Sequence, residues 1–214
     1  MITLPQYPNL YLIDHPLIKR DLSILRKKKT SNVVFRTVLF RLTKMIAYEV
    51  ASNLKLTDSD IETPLEKTKG YQLKEEIILV PILRAGLGMA DGFLDLMPDA
   101  KVGHVGLYRN EETLEPVDYY SKFPRNLKDS LIFLLDPMLA TGGSASAAIS
   151  FIKQKGGRKI RLVNLVAAPE GVDKVYREHD NVAIFAAHLD RGLNENGFIL
   201  PGLGDAGDRV FGTE

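Results

Sequence analysis

From Glu75 onwards the sequence alternates short apolar runs of strand length with runs of helical periodicity, and this alternation constrains the fold more than any other feature. The expected strands are residues 77–83, 102–108, 131–135, 160–167 and 182–188, and the expected helices are residues 87–97, 144–155 and 172–179. Serial β-α-β order predicts a doubly wound α/β fold, in which helices cover both faces of a mostly parallel central sheet. Ligands of such sheets bind at the carboxyl ends of the strands, so we expect the chemistry on the loops after residues 83, 108, 135 and 167.

The part of the chain before this alternation is expected to be mainly helical. After an irregular start, residues 16–26 predict a short helix, and Thr30 or Ser31 is suited to cap a longer helix that ends near Ala51. Apolar residues spaced by three and four predict one buried stripe on that helix; they are Val34, Val38, Leu42, Met45, Ile46, Val50 and Ala51. The basic residues 26–29 predict a solvated loop, with an anion or RNA contact as the alternative. Residues 55–74 predict a peripheral hairpin or loop outside the core.

Composition excludes several classes of protein. A chain of 214 residues can bury roughly 70% of its unfolded surface in one domain. A net charge of +1, with both signs interspersed, argues against nucleic acid or a membrane surface as the main partner. The absence of cysteine excludes disulfides, thiolate metal sites and a cysteine nucleophile. Neither a secretion signal nor a membrane-spanning run is visible, so a cytoplasmic location is expected.

Residues 131–155 read as strand, loop and helix, with Asp136 at the end of the strand. A small-residue turn before a helix aims free backbone N–H groups and the positive end of the helix at one point, and Thr141 and Ser144 add hydroxyl donors. This arrangement predicts a phosphate site. The carboxylate in front suits a ligand with hydroxyls near its phosphate, such as a ribose 5-phosphate. In the alternative interpretation, Asp136 caps a turn and Gly142 and Gly143 only relieve backbone strain.

Better-known nucleotide motifs do not fit. No lysine follows Gly143, so the turn is not a Walker A loop, and it also lacks the dinucleotide pattern G-x-G-x-x-G. Residues 202–207 match that pattern letter for letter, but the motif must open a helix inside a β-α-β unit, for which the remaining chain is too short. A nicotinamide oxidoreductase is therefore not favoured. The four histidines, at positions 15, 104, 179 and 188, show no metal-ligand spacing.

Two arginines follow the first two strands of the predicted sheet. Arg84, followed by small residues that include Gly86, is suited to a pyrophosphate, since a guanidinium makes bidentate contacts and glycine lets the backbone approach. Arg109 stands at the base of a long loop that is typical of a lid, and closure would bring a second positive charge over the same anion. The alternatives are a surface ion pair for Arg84 and a plain exposed hairpin at Arg109.

Residues 136–144 resemble the phosphoribosyl-diphosphate loop of type I phosphoribosyltransferases. Three further stretches, residues 81–89, 108–116 and 201–208, narrow the resemblance to the uracil phosphoribosyltransferases, and the likeness extends from residue 15 to residue 213. Most type I relatives carry two adjacent acids at the strand end, whereas this chain has Leu135 and Asp136, as the uracil enzymes do.

The resemblance implies a set of site residues. Those for phosphoribosyl diphosphate are Arg84, Arg109, Asp136, Pro137, Met138, Leu139, Ala140, Thr141, Gly142, Gly143, Ser144 and Asp205. Those for uracil are Ile199, Gly204, Asp205 and Ala206. The catalytic residues would be Asp136, Arg84, Arg109 and Asp205, with Asp136 accepting hydrogen bonds from ribose hydroxyls. Mg²⁺ would be carried mainly by the substrate, with no direct protein ligand.

The implied activity is transfer of the phosphoribosyl group to N1 of uracil, giving UMP and pyrophosphate. The resemblance also implies a homodimer or larger homo-oligomer and raises the question of activation by GTP. We expect one domain, 1–214, made of N-terminal helices (1–54), a peripheral hairpin (55–76), the core sheet (77–190) and a C-terminal base-binding loop (191–214). The rival is a non-catalytic regulator that binds pyrimidine nucleotides and RNA, but the balanced charge argues against the basic face that it would need.

Overall fold

The structure, a computed structural model, describes residues 1–109 and 116–213, and for residues 107–109 and 116–119 it describes the backbone alone. The helices in this part of the chain are α1 (Pro16–Arg26), α2 (Asn32–Ala51), α3 (Leu87–Leu96), α4 (Gly143–Gln154), α5 (Pro169–Glu178) and α6 (Ala206–Phe211). The strands up to the middle of the chain are β1 (Ile2–Leu4), β2 (Tyr7–Leu12), β3 (Leu56–Glu62), β4 (Lys67–Leu73), β5 (Ile77–Leu83), β6 (Lys101–Val102), β7 (His104–Arg109) and β8 (Pro116–Lys122). The later strands are β9 (Leu131–Leu135), β10 (Met138–Leu139), β11 (Lys159–Ala167), β12 (Ala183–Leu189), β13 (Gly192–Leu193) and β14 (Ile199–Leu200).

The main sheet has the order β1-β2-β12-β11-β9-β5-β7-β8. Every neighbouring pair from β2 to β7 runs parallel, and only the outer pairs β1–β2 and β7–β8 are antiparallel. Helices α1, α2 and α3 pack on one face of this sheet, and α4 and α5 pack on the other. The predicted doubly wound α/β fold is confirmed. No helix of the described residues is both long and apolar enough to cross a membrane.

Strands and helices with unambiguous patterns have the predicted bounds. Strands β5 and β9 begin and end where predicted, and all five residues of β9 are buried because helices cover both faces of the sheet. Ser31 caps α2 by accepting a hydrogen bond from the N–H of Val34, at 3.5 Å. The peripheral hairpin is also confirmed, since β3 and β4 form a separate antiparallel pair.

Four expectations about secondary structure and the burial of helix residues were wrong. The N-terminus is not irregular: β2 joins the main sheet beside β12, with Leu10 opposite Ile184, although Pro8 and Asn9 hide the alternation. The strand expected at 102–108 is broken at Gly103, whose N–H donates to Leu79 O at 2.9 Å.

The other two concern helices. Val34 is 45% exposed rather than buried, and Phe35 and Leu39 take its place in the stripe of α2. The C-terminal segment is not only a loop, because α6 lies within it.

Candidate active site

The loops at the carboxyl ends of β5, β9 and β11 meet in one region, together with the C-terminal segment. A Cβ atom added to Gly86, after β5, would overlap Leu135 O at the end of β9. One added to Gly197 would lie 3.6 Å from Cγ2 of Thr141, and one added to Gly207 would lie 3.9 Å from Nη2 of Arg84. The fold therefore places the phosphate-type loop and Arg84 each beside the C-terminal segment.

Asp136 lies directly after β9 and is partly buried. Its main chain is fixed on both sides, because its N–H donates to Val163 O at 3.1 Å and its carbonyl accepts from Asn164 Nδ2 at 2.6 Å. Burial raises the pKa of its carboxyl group to about 7, and the N–H of Met138, 3.3 Å from Oδ1, opposes this rise. The carboxyl group thus has few donors within the described protein and is suited to accept hydrogen bonds from a ligand.

Asn164 is a residue that the sequence analysis did not single out. It is fully buried on β11, and its Oδ1 has no hydrogen-bond partner among the described residues. The polar residue within the otherwise apolar run 162–167 was a visible signal. Its side-chain amide donates to the backbone carbonyl of Asp136, and this bond explains why a polar side chain is buried here.

The turn from Pro137 to Ser144 has the form predicted for an anion site. Gly142 has a φ of +78° and is the N-cap of α4, where no side chain bonds the cap. Gly143 N–H has only a long contact of 3.4 Å with Thr141 Oγ1, and the side chains of Thr141 and Ser144 are exposed. The N–H groups of the first turn and two hydroxyl groups are consequently accessible to a phosphate at the positive end of a 12-residue helix.

Gly171, on α5, packs against this turn, and the sequence analysis did not predict this contact either. A Cβ on Gly171 would overlap Ala140 O and lie 2.9 Å from Leu139 O, and one on Gly142 would lie 2.9 Å from Gly171 O. The backbone of α5 therefore touches the backbone of the turn. A glycine three residues into a helix that follows a buried strand was the available signal, but spacing alone did not tell which loop it would meet.

We expect Gly171→Ala to destabilise the protein by about 1–3 kcal/mol, because the added methyl group displaces the turn or α5. Urea unfolding would measure this loss, and the affinity for ribose 5-phosphate should fall with it. Gly143→Ala is the matched control for stability, since the nearest atom to its new Cβ is Thr141 Oγ1 at 3.7 Å. Equal stability of the two variants would contradict the contact between α5 and the turn.

Arg84 follows β5 after a cis peptide bond to Leu83. Its half-exposed guanidinium donates to Asp208 Oδ1 at 3.1 Å and to Thr213 Oγ1 at 3.3 Å. The Thr213 hydroxyl, together with this guanidinium, lowers the pKa of Asp208 below its usual value. In this structure Arg84 thus forms an ion pair, which was the alternative interpretation of this residue. Its contact with a diphosphate stays a prediction.

The C-terminal segment presents a glycine-rich loop between β14 and α6. The Leu200–Pro201 peptide is cis, and Gly202 and Gly204 have φ values of +61° and +73°. Ile199 and Ala206, at the two ends of this loop, have buried side chains. They can therefore contact a ligand through their main-chain N–H and C=O groups rather than through their side chains. Asp205 caps α6 by accepting from Asp208 N at 3.0 Å.

Arg109 ends β7, and its side chain and residues 110–115 lie outside the described residues. The strands on either side, β7 and β8, pair antiparallel from His104 opposite Lys122 to Arg109 opposite Pro116. The two strands therefore form the antiparallel pair that the predicted lid hairpin requires, and the residues between them lie outside the described part of the chain. The closure of this hairpin as a lid and the contact of Arg109 with a diphosphate stay predictions.

The fold, with its loops at the carboxyl ends of the strands, is the type I phosphoribosyltransferase fold. The chain superimposes on the solved structure of adenine phosphoribosyltransferase from Trypanosoma brucei with a TM-score of 0.62, covering 92% of this chain and 90% of that one. The sequence identity is 13%, so this likeness concerns the fold alone. A solved structure of a protein from Aquifex aeolicus is nearer, with a TM-score of 0.90 and 40% identity over 96% of this chain and 99% of that one.

Sequence comparison gives the particular family. A family model described as uracil phosphoribosyltransferase matches residues 12–213. The uracil phosphoribosyltransferase of Salinibacter ruber is 52% identical over 96% of this chain and 98% of its own length. That of Ureaplasma urealyticum is 54% identical over 95% of this chain and 99% of its own. The chain belongs to the uracil phosphoribosyltransferase family.

Proposed function

We propose that this protein transfers the phosphoribosyl group of 5-phospho-α-D-ribose 1-diphosphate to N1 of uracil, giving UMP and pyrophosphate. The observation that carries the proposal is the match over almost the whole chain to a family whose named relatives are about half identical. The accessible N–H groups at the start of α4, behind the carboxyl group of Asp136, give this activity a structural basis.

In the proposed reaction, N1 of uracil attacks C1 of the ribose while pyrophosphate leaves, through a transition state with oxocarbenium character. Asp136 accepts hydrogen bonds from the ribose hydroxyls, and residues Pro137 to Ser144 hold the 5-phosphate. Arg84, Arg109 and Asp205 lie around the diphosphate, where the two arginines balance the charge of the leaving group. No protein nucleophile is needed, because positioning and charge stabilisation lower the barrier.

Mg²⁺ is proposed as the cofactor, and it would supply positive charge to the diphosphate leaving group when bound. Hard cations of this kind take oxygen ligands and keep several that are not from protein. Among the described residues, no three Asp, Glu or His side chains converge as a metal site. The carboxyl group of Asp136 accepts one hydrogen bond within the described residues, from Met138 N–H, and keeps oxygen lone pairs for a ligand. These residues fit a metal ion that is held mainly by substrate oxygens.

The base would be selected by the main chain between Ile199 and Ala206. Uracil presents an acceptor, a donor and an acceptor at O2, N3–H and O4, and backbone N–H, C=O and N–H groups are the complement. Cytosine would leave two groups mismatched, at about 1–3 kcal/mol for each buried unpaired group. Glycines at 202 and 204 keep this part of the loop free of side chains.

The direct test mixes the protein with Mg²⁺, phosphoribosyl diphosphate and, separately, uracil, cytosine, orotate or hypoxanthine. We expect UMP from uracil and rates at least about thirtyfold lower with cytosine, since two mismatched groups cost about 2–6 kcal/mol together. Chromatography of the mononucleotide product measures each rate. Turnover of another base without turnover of uracil would overturn the proposal.

We further propose that the single domain 1–214 works in the cytoplasm as a homodimer or larger homo-oligomer, with GTP as a candidate activator. The family resemblance supports these points. Sedimentation velocity with and without GTP, run beside the activity assay, tests them together. A monomer with full activity, or a rate that GTP leaves unchanged, would remove the corresponding point.

A further inference from the structure

The side chain of Asp190, directly after β12, is completely buried and forms a bidentate ion pair with Arg26 at the end of α1. The contacts are 2.6 Å from Nη2 to Oδ1 and 2.9 Å from Nη1 to Oδ2, and the arginine side chain is 20% exposed. The N–H of Asp190 donates to Ala167 O at 2.8 Å, which fixes the aspartate to the end of β11. The prediction that residues 26–29 are a solvated loop is therefore wrong for Arg26, whereas Lys27, Lys28 and Lys29 are exposed.

This ion pair holds both main-chain polar groups of Gly202. The N–H of Gly202 donates to Asp190 Oδ2 at 2.9 Å, and its carbonyl accepts from Arg26 Nη1 at 2.9 Å. Gly202 needs its positive φ here, and a Cβ would also overlap Ile199 O. The ion pair between Arg26 and Asp190 thus fixes the peptide groups on both sides of Gly202, two residues before Gly204.

Arg209, on α6, binds the main chain of Leu203, the residue after Gly202. Its guanidinium donates to Leu203 O at 2.7 Å, to Lys27 O at 2.8 Å and to Leu25 O. The guanidinium carbon lies 4.5 Å from the ring centroid of Phe35, which adds a cation–π contact. Both arginines therefore connect the end of α1 to the main chain of residues 202 and 203.

The ion pair keeps its charge at neutral pH. Burial alone would raise the pKa of Asp190, but hydrogen bonds from Arg26 and from the N–H of Gly202, with the nearby positive charge, lower it below its usual value. His188 also faces this carboxylate, with Nδ1 2.8 Å from Oδ1. A buried ion pair is weak evidence for stability, because desolvation offsets its attraction, so a geometric role explains its presence better.

We propose that Arg26 and Asp190, assisted by Arg209, are positioning residues for the base: they fix the main chain of Gly202 and Leu203 and so set the direction of the groups that residues 204–206 offer to uracil. The inference rests on the proposed function, since it assigns the base to this loop. None of these three side chains needs to touch the base. They act through the peptide groups of the loop.

The test compares Arg26→Lys with Arg41→Lys. A lysine keeps the positive charge but cannot reproduce the bidentate contact, so the first variant loosens Gly202. Arg41 is the matched control because it pairs with Asp21, another completely buried aspartate, through contacts of 2.6 and 3.0 Å. Among the described residues, Arg41 makes no hydrogen bond to the C-terminal loop. Its replacement therefore disturbs a comparable ion pair between α1 and α2 and leaves the loop untouched.

We expect Arg26→Lys to raise KM for uracil about tenfold and to lower the preference for uracil over cytosine, with kcat and KM for phosphoribosyl diphosphate changed less than about twofold. Arg41→Lys should leave all of these constants unchanged. Millimolar guanidinium ion added to Arg26→Ala should restore part of the affinity for uracil. An unchanged KM for uracil, or an equal rise for both substrates, would overturn the proposal.

Hydrogen exchange without substrate gives a readout that does not depend on activity. The amides of residues 202–206 should exchange faster in Arg26→Lys than in the unmodified protein, while those at the start of α4 stay unchanged. Equal exchange in the two proteins would contradict the positioning role. If the unmodified protein fails to convert uracil, the proposed function is wrong, and the exchange experiment still decides whether this ion pair orders the loop.

Discussion

Replacing Asp136 with asparagine is expected to lower kcat/KM for phosphoribosyl diphosphate by about a hundredfold. A carboxylate can accept from two ribose hydroxyls at once, whereas an amide offers one acceptor and turns its NH₂ group toward the other hydroxyl. Hydrogen bonds to charged groups contribute about 1.5–3 kcal/mol, which corresponds to this loss. Steady-state kinetics with saturating uracil measure it. Asp99→Asn, an exposed acid before β6, is the control and should be neutral.

The same replacement should also change the pH dependence of the reaction. Because burial raises the pKa of the free carboxyl group to about 7, kcat/KM for phosphoribosyl diphosphate should rise with pH through that value as the group ionises. Asp136→Asn should lack this rise. A flat profile for the unmodified protein between about pH 6 and pH 8 would contradict the assignment of the carboxylate to the ribose.

Stability should respond to this group in the opposite sense to activity. The unfolded aspartate titrates near 3.9 and the folded one near 7, so the folded state binds the extra proton between these values. The contribution of Asp136 to the free energy of unfolding is therefore largest below about pH 4, falls as pH rises and levels off above about 7. Urea unfolding of both proteins across this range should show Asp136→Asn gaining relative stability as pH rises.

The second large effect is expected for Gly86→Ala, which should destabilise the protein by about 3 kcal/mol. The new Cβ would overlap Leu135 O and would lie 2.7 Å from both N and O of Ile82. All three atoms belong to the backbone of the central strands β5 and β9, so no side chain can rotate away. Thermal unfolding should show a midpoint lower by about 6–12 °C.

The control for this replacement is Gly143→Ala, whose new Cβ would make only an ordinary contact, 3.7 Å from Thr141 Oγ1, and which should keep the midpoint of the unmodified protein. A Gly86→Ala protein that unfolds at the normal temperature would mean that the turn after β5 is not held against β9. Loss of activity alone would not support the prediction, since Arg84 lies two residues away and would move with the turn.

The sequence predicted those parts of the fold whose signals are local. Residues 131–135 could be assigned as a buried strand because a run of five apolar side chains ends at an acid. The cap of α2 could be narrowed to Thr30 or Ser31 because a capping side chain bonds within its own turn, and Ser31 is the cap. The phosphate-type turn was found for the same reason. Its glycines, hydroxyl groups and helix are contiguous in the chain.

What was missed depends on partners far apart in sequence. Arg26 looked like one of four solvated basic residues, because its partner Asp190 is 164 positions away. Gly171 looked like an ordinary helical residue until its contact with Ala140 was known. Strand β2 was missed because its hydrogen-bonded neighbour β12 follows some 170 residues later, and Pro8 and Asn9 broke the local pattern.

The two faces of the sheet bear on how this protein could be redesigned. The turn from Pro137 to Ser144 packs into both layers, with Leu139 on the side of α4 and α5 and with Met138 and Ala140 on the other side. The loop from Ile199 to Ala206 rests on α1, α2 and α6. A library aimed at a different nucleobase can therefore be confined to one layer of the molecule. Compensating mutations that restore lost stability can be sought in the opposite layer, where additivity between distant sites lets the two sets be combined without retesting every pair.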